Sequence, residues 1–299
     1  MTISPARNAE LADVFALLYG DRPEMLAENA AHAFRLVARG ELDPDHLLVA
    51  RSGGSVVGAV LCQPVPGASA VVWPPRARDN DPAIEDALAA AAIDRAGGAK
   101  FIQTFLPPEK APLAGPLLRA GFRRVTQVWQ MRRDASSPLP RLGEDEKSGL
   151  TLIPYPSCDP TEFQSVLLRC HDNSLDCPEL HRVRTTGELL AGYRDAAPDP
   201  GRWWLARRGG RAEGVLILGG DDLSFVGVVP ERRGRGVGRA LIATACAASP
   251  GLSLIVDVRN TPAVRLYEWA GFIRIGARDV FLFLPDAAAD VSSLPVGRL

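Results

Sequence analysis

Two short apolar runs flank a Gly-Gly pair in the stretch LLVARSGGSVVGAVL (47–61), the pattern of a strand, a tight turn and a second strand. The stretch WWLARRGGRAEGVLI (203–217) repeats it. Ala50, Arg51, Gly53, Gly54 and Gly58 fall on Ala206, Arg207, Gly209, Gly210 and Gly214. A second echo follows each hairpin, LLRAGFRRV (117–125) against LYEWAGFIRI (266–275), with Gly121-Phe122 matching Gly271-Phe272. Both matches have an offset of about 150 residues, so the chain reads as two copies of one domain. Apolar residues at helical spacing ahead of each hairpin predict helices over 9–19 and 23–39 in the first copy and over 161–171 and 186–197 in the second. Beyond the second hairpin the pattern predicts a strand at 222–229, a helix at 237–248, a strand at 252–258, a helix at 262–270 and a last strand at 272–284.

This mixture predicts an α/β layered fold, each copy a mixed, mostly antiparallel sheet flanked by helices. The polar, Pro- and Gly-rich stretch DASSPLPRLGEDEKSG (134–149) reads as a linker. The expected domains are therefore 1–134 and 150–299, joined by 135–149.

Composition narrows the class. The chain has 299 residues, 46% of them hydrophobic, and its 34 Lys and Arg nearly balance 35 Asp and Glu. A general nucleic-acid binder usually carries a basic excess, so nucleic acid is not an expected partner. The five cysteines, Cys62, Cys158, Cys170, Cys177 and Cys246, have no paired spacing, which fits a reducing compartment. MTISPARNAEL lacks the apolar core of a signal peptide, and no apolar run nears the roughly 20 residues that span a bilayer. The expected location is the cytoplasm, without a membrane partner. Composition says nothing about oligomeric state.

The positive charge is concentrated in PERRGRGVGRALI (230–242), between the strand DDLSFVGVV and the helix VGRALIATACAA. At such a junction the first helical N–H groups lack partners and the helix dipole favours an anion. Gly234, Gly236 and Gly238 permit close backbone approach and positive φ, and Arg233, Arg235 and Arg239 add charge. The run reads as a pyrophosphate cradle. It is not a P-loop, which needs Gly-Lys-Ser/Thr, nor a dinucleotide fingerprint, because Leu241 stands where the third glycine would be. An RNA-binding RGG segment would not be wedged between a strand and a helix.

The run VGVVPERRGRGVGRALI resembles the acetyl-CoA loop of the GNAT acyltransferases, R/Q-x-x-G-x-G/A, here Arg233, Gly236 and Gly238. VRNTPAVRLYEWAGF (258–272) is similar to that family's later motif, N-x-x-A-x-x-L-Y-x-x-x-G-F. In that second motif Asn260 or Thr261 caps a helix, Pro262 suits its first turn and Gly271 ends it. A tandem arrangement with an active C-terminal half also resembles the mycothiol synthases.

The resemblance implies an acyltransferase that moves an acyl group from acetyl-CoA to an amine of a small molecule or peptide, without a metal. It implies that acetyl-CoA lies between strands 222–229 and 252–258, with its pyrophosphate on the backbone from Arg233 through Gly234, Arg235, Gly236, Val237 and Gly238 to Arg239. It further implies that Val226, Gly227 and Val228 present main-chain groups to the pantetheine and that the Val228 N–H is the oxyanion donor. Asn260 would touch the pantetheine, and Tyr267 would protonate the departing sulfur. The family often has a glutamate base at the start of the first of these strands. Asp222 stands there, one methylene shorter, and would act directly or through a water.

The segment CHDNSLDCPELHRVRTTGE (170–188) is the expected acceptor loop, with Asp176, Glu179 or Arg184 as contacts. Cys170, His171, Cys177 and His181 match no standard metal spacing. In the first copy the matching junction, VVWPPRARDNDPAIEDAL (71–88), has no glycine and gathers Asp79, Asp81, Glu85 and Asp86 at its helix start. Leu117 stands in place of Tyr267 and Lys110 in place of Asn260. That copy is expected to have lost catalysis. The opposing reading is a CoA-binding module without turnover, and a narrower one is acetylation of a thiol-sugar precursor.

Overall fold

The computed structural model of the chain describes residues 1–20, 23–144 and 149–285. These form two compact units, residues 125–279 and residues 1–124 joined by residues 280–285. The expected boundaries at 134 and 150 therefore shift. Strand β6, Arg123–Arg133, ends the first repeat in sequence, yet it pairs antiparallel with β11, Leu252–Asp257, of the second unit, from Leu252 opposite Arg133 to Asp257 opposite Val128. Arg133 is fully buried there. Its Nε donates to the Ala270 carbonyl (3.0 Å), Nη1 to the Pro250 carbonyl, and Nη2 to those of Ser137 (2.7 Å) and Pro138 (2.9 Å). A buried guanidinium must be satisfied by such acceptors, so the opening of the expected linker is held in the second unit. Residues 145–148 of that linker lie outside the described residues. The last strand, β12 (Ile273–Phe283), starts in the second unit and ends in the first, where Phe283 lies 5.4 Å from the Phe122 ring.

The first unit carries β1 (Thr2–Pro5), β2 (Leu47–Ser52), β3 (Ser55–Val65), β4 (Ser69–Ala77) and β5 (Phe101–Leu106) side by side in that order. Helices α1 (Leu11–Tyr19) and α2 (Leu26–Ala38) contribute to one core, with Phe15, Leu47 and Val49, and α3 (Pro82–Arg95) and α4 (Gly115–Arg119) to another, with Val60, Leu88 and Leu117.

The second unit repeats the plan. β7 (Leu150–Pro154), α5 (Pro160–His171), α6 (Thr186–Ala196), β8 (Trp203–Arg208) and β9 (Arg211–Gly219) lead into β10 (Asp222–Val228), α7 (Val237–Ala248), β11 and α8 (Thr261–Trp269). Its strand order is β6-β11-β10-β9-β8-β7. One core joins Phe163, Leu190 and Trp203, and the other joins Leu241, Val264 and Tyr267. Each unit is thus a mixed, mostly antiparallel sheet with helices on both faces, as the sequence pattern predicts.

The repeated arginine of the two hairpins has the same task twice. Arg51 Nε and Nη2 grip the Glu10 carboxylate at 2.8 and 2.7 Å, and Arg207 Nη2 reaches Glu162 at 2.6 Å. Each ties the strand beside the edge of its sheet to the start of the first helix of its unit. The Arg51 guanidinium holds Glu10 down to about 2. Among the described residues no helix is long and apolar enough to cross a membrane.

Candidate active site

The site begins where two parallel strands part. β10 and β11 are in register at one position, Asp222 opposite Ser253, with the Ser253 N–H donating to the Asp221 carbonyl at 2.8 Å. The equivalent strands of the first unit, β4 and β5, stay in register at Ser69, Ala70 and Val71. Beyond Asp222 the facing edge of β10 is therefore free to border a cleft. Alternation along the strand says which groups face it. The Val229 N–H donates to Glu213 on β9 (3.0 Å), so the main-chain groups of Val228 and Val226 point the other way. Gly227 is needed between them, because a Cβ there would lie 2.6 Å from Cys170 Cβ and 2.7 Å from the Phe225 ring.

Two connected hollows fill the opening and share Val228, Gly238, Ala263 and Leu266. The outer one, about 570 Å³, is walled by the Arg-Gly junction and α8. Gly236 caps α7 at φ +80° and Gly234 turns at φ +73°, both in the left-handed region that glycine enters without penalty. The first-turn N–H groups of α7, Val237, Gly238 and Arg239, have no acceptor inside the helix. A Cβ at Gly238 would come 3.3 Å from Leu266 Cδ2, so the hydrogen keeps the floor of this hollow open. Of the arginines, Arg235 is exposed and Arg239 lies 4.9 Å from the Trp269 ring centroid.

Arg233 departs from its expected role. Its guanidinium turns toward the protein and donates to the carbonyls of Val228 (3.1 Å), Asn173 (3.0 Å), Cys170 (3.1 Å) and Asp172 (2.7 Å). Three of those acceptors are at the end of α5 and the start of the acceptor loop and the fourth, Val228, ends β10, so Arg233 straps that loop to β10. An anion at the junction is left to the backbone N–H groups and the remaining arginines.

The inner hollow, about 300 Å³, holds Tyr267, Asn260, Val226 and Val228 together with Asp176, Arg184 and Tyr193 of the loop and α6. Tyr267 is nearly buried, and burial first, then the charge of Asp176, raises its phenol above the usual range. Asn260 has the capping task expected of it, its side chain accepting from the Ala263 N–H at 3.3 Å. Asp222 is not brought to this hollow. It is exposed at the paired end of β10, where the strands have not yet parted, and its neighbour Asp221 accepts from Ser249 Oγ at 2.8 Å.

The carboxylate that does line the hollow is Asp176. It is accessible, but the protein crowding around it disfavours its charge and raises its pKa, against the lowering effect of the hydrogen bond its Oδ1 accepts from the Asp257 N–H (2.9 Å). Asp257 is fully buried and organises the loop. Its Oδ2 accepts from the Cys177 N–H (3.1 Å), its Oδ1 from Thr126 Oγ1 (2.8 Å), and Arg259 bridges it to Glu179 at 2.6 and 2.9 Å. Glu179 is therefore a structural partner. Cys177 sits at φ +45°, a strained value for a residue with a side chain, and this clamp holds it there.

His171 stacks on Phe225 (4.8 Å between centroids), and its Nε2 is 3.2 Å from the Tyr193 hydroxyl. Burial, and secondly the positive charge of Arg184, pulls it down to about 4, so the ring is neutral at neutral pH. Burial pushes the Cys170 and Cys177 thiols up to about 12, which makes both poor nucleophiles. Among the described residues no group of three or more His, Cys, Asp or Glu is placed to hold a metal ion. Sequence reasoning missed Phe225 and Tyr193, whose aromatic character and spacing are those of ordinary core residues.

A cleft between parting parallel strands, with a Gly-rich helix start at one end and a buried tyrosine within, is the arrangement that the resemblance of the sequence motifs to the GNAT acyltransferases implies. Residues 199–274 match the acetyltransferase (GNAT) domain. The chain is 31% identical to a mycothiol acetyltransferase of Thermomonospora curvata over 244 residues, 76% of this chain and 78% of that protein. It is 34% identical to that of Thermobispora bispora over 180 residues, a match that spans 54% of this chain and 59% of the relative. A crystal structure of a GCN5-related N-acetyltransferase from Sphaerobacter thermophilus shares the fold, with a TM-score of 0.63 over 94% of this chain and 95% of that one at 18% identity. The chain belongs to the GNAT acetyltransferase family.

Proposed function

We propose that the chain transfers an acetyl group from acetyl-CoA to an amine of a small molecule or peptide, and that the second unit is the catalytic one. The observation that carries this reading is the parting of β10 and β11 after a single register position, with Tyr267 and the Arg-Gly junction on the two sides of the opening. In this reading the N–H groups from Gly234 to Arg239 cradle the pyrophosphate. The Val228 N–H stabilises the negative charge that gathers on the thioester oxygen as the amine adds to the carbonyl carbon. Asp176 takes the proton that the amine must lose. Collapse breaks the C–S bond, and Tyr267 gives its proton to the sulfur, leaving an amide and a thiol.

Among the described residues, the corresponding positions of the first unit carry other groups. At its junction the Asp81 carboxylate already accepts the Ala83 N–H at the start of α3 (2.9 Å), and Leu117 is packed into the core where Tyr267 would be. Asp79 and Asn80 adopt positive φ there, +57° and +52°, so the lack of glycine does not by itself keep this junction from turning. The negative charge of Asp79 and Asp81 is what opposes a second anion. Five free cysteines accord with a cytoplasmic setting. The names of the relatives favour a second reading, in which the acceptor is the amine of a thiol-sugar precursor.

The test is full-length protein with acetyl-CoA and an amine panel, following free thiol and acetylated amine together. The reading expects one of each per turnover. Thiol release with no acetylated product under any amine would overturn it.

A further inference from the structure

Strand β6 belongs to the first repeat in sequence, yet it follows β11 of the second unit to that strand's last residue. There Val128 stands opposite Asp257, and the Val258 N–H donates to the Gln127 carbonyl (3.0 Å). At that point β6 adds a side chain to the anchor of the acceptor loop. The buried Thr126 hydroxyl donates its one proton to Asp257 Oδ1 at 2.8 Å, a carboxylate being a stronger acceptor than the Gln127 carbonyl at 3.2 Å. Arg259 closes on the same carboxylate, its N–H and Nε reaching Oδ1 at 2.9 and 3.0 Å and its Nη2 reaching Oδ2 at 2.7 Å. With Oδ1 held in this way, Oδ2 is aimed at the Cys177 N–H (3.1 Å), and the Asp257 N–H meets Asp176 Oδ1 (2.9 Å). One residue thus grips Asp176 through its main chain and Cys177 through its side chain. The positions that the repeat matches to Thr126 and Asp257 are Gly276 and Pro107, neither of which has a polar side chain. The Thr126–Asp257 pair therefore accompanies the cleft and is not required by the fold that both copies share.

Resting on the acetyltransfer reading, we propose that the first repeat serves acceptor chemistry through β6, with Thr126 as a positioning residue that sets Asp176 in the inner hollow by way of Asp257. Thr126 lines neither hollow, so it acts through its partner. Its hydroxyl fixes the rotation of the Asp257 carboxylate, a torsion that is otherwise broad. Released from that bond, the carboxylate turns toward Arg259 and the Cys177 N–H loses its acceptor. Cys177 is the residue strained at φ +45°, so the loop relaxes there. Asp176, its chain neighbour, is then carried off the Asp257 N–H and away from the point where an amine would meet it.

The experiment compares the full chain with Thr126→Val, which keeps the shape and removes the hydroxyl, and with Thr126→Ser, which keeps the hydroxyl. Arg259 still pairs the Asp257 charge in both, so both variants fold. Loss of one buried hydrogen bond predicts about tenfold faster hydrogen exchange at the Cys177 amide in Thr126→Val, and exchange near that of the wild type in Thr126→Ser. Kinetics with an accepted amine follow, with active enzyme counted by the stoichiometry of acetyl-CoA binding. Acceptor kcat/KM should fall about tenfold in Thr126→Val while donor KM changes less than threefold, and Thr126→Ser should recover most of the loss. Unchanged exchange at Cys177 in Thr126→Val overturns the proposal. Faster exchange with acceptor kcat/KM unmoved, or equal losses toward both substrates, also overturns it while acetyl transfer itself stands. If the wild type acetylates no amine, the acetyltransfer reading falls and this proposal with it.

Discussion

Arg233 is the residue for which sequence and structure give opposite kinetic expectations, and Arg233→Met separates them. As a pyrophosphate ligand its loss would weaken the donor. As a strap it holds four carbonyls, those of Val228, Asn173, Cys170 and Asp172, at 2.7 to 3.1 Å. Arg233 is exposed, so water can replace it at these carbonyls and each bond counts at the low end of the usual range, about 0.5 kcal/mol. The variant should therefore lose about 2 kcal/mol of stability, visible as a lower urea midpoint with an unchanged slope. The larger effect falls on the acceptor, because the strapped loop carries Asp176 and Cys177 into the inner hollow. Steady-state kinetics with each substrate varied in turn should show acceptor KM rising about tenfold, with donor KM changed less than threefold, an expectation that follows from the loss of about 1.4 kcal/mol in positioning. Arg235→Met, at an exposed site, serves as the comparison. A tenfold rise in donor KM with acceptor KM unmoved would refute the strap.

Tyr267→Phe keeps the ring and removes the hydroxyl, so kcat should fall about 10²- to 10⁴-fold while acetyl-CoA affinity by calorimetry changes little. Wild-type turnover with chemistry rate-limiting would make Tyr267 a packing residue. Asp176 must be deprotonated to act, and its pKa is raised, so log kcat/KM should rise with pH through a value above that of an ordinary aspartate and then level off. Asp176→Asn should lower the rate and abolish that limb, and its persistence would move the base elsewhere. His171 is pulled from 6.5 to about 4 in the folded state, so unfolding takes up a proton and its contribution is lost as pH falls from 6.5 through 4. Chemical unfolding of His171→Gln should show a shallower loss of stability across that window, by at most about 1.4 kcal/mol per pH unit, and a slope equal to wild type would contradict the assignment.

Much of this site was legible because its backbone demands are written in residue type. Gly234 and Gly236 at positive φ, Asn260 as a cap and Gly271 as a stop are local requirements that a sequence displays directly. The repeat was legible for the same reason, since Gly-Gly turns and the Arg51 and Arg207 tethers recur in order. The domain boundary was not, because strand exchange is decided by pairing between residues far apart in sequence, such as Arg133 with Leu252. Asp222 was misplaced because a strand start can be open or paired, and only the sheet register settles which. Asp176 was one of three charges in its loop. Nothing local separates it from Glu179, whose carboxylate is taken by Arg259.

The central claim is that acetyl transfer occurs in the cleft of the second unit. The most direct measurement compares the full chain with the Gly236→Glu, Tyr267→Phe double variant, using acetyl-CoA and an accepted amine, with acetylated product read by mass spectrometry. Glutamate in place of Gly236 puts a side chain at φ +80° and a negative charge where the pyrophosphate would lie, and replacing Tyr267 removes the proton donor. The account predicts acetylated amine from the wild type and, with both contributions lost, a rate from the folded double variant lower by about a thousandfold or more. Turnover by the double variant within about tenfold of wild type, a difference of only about 1.4 kcal/mol, would place the chemistry outside this cleft and contradict the account.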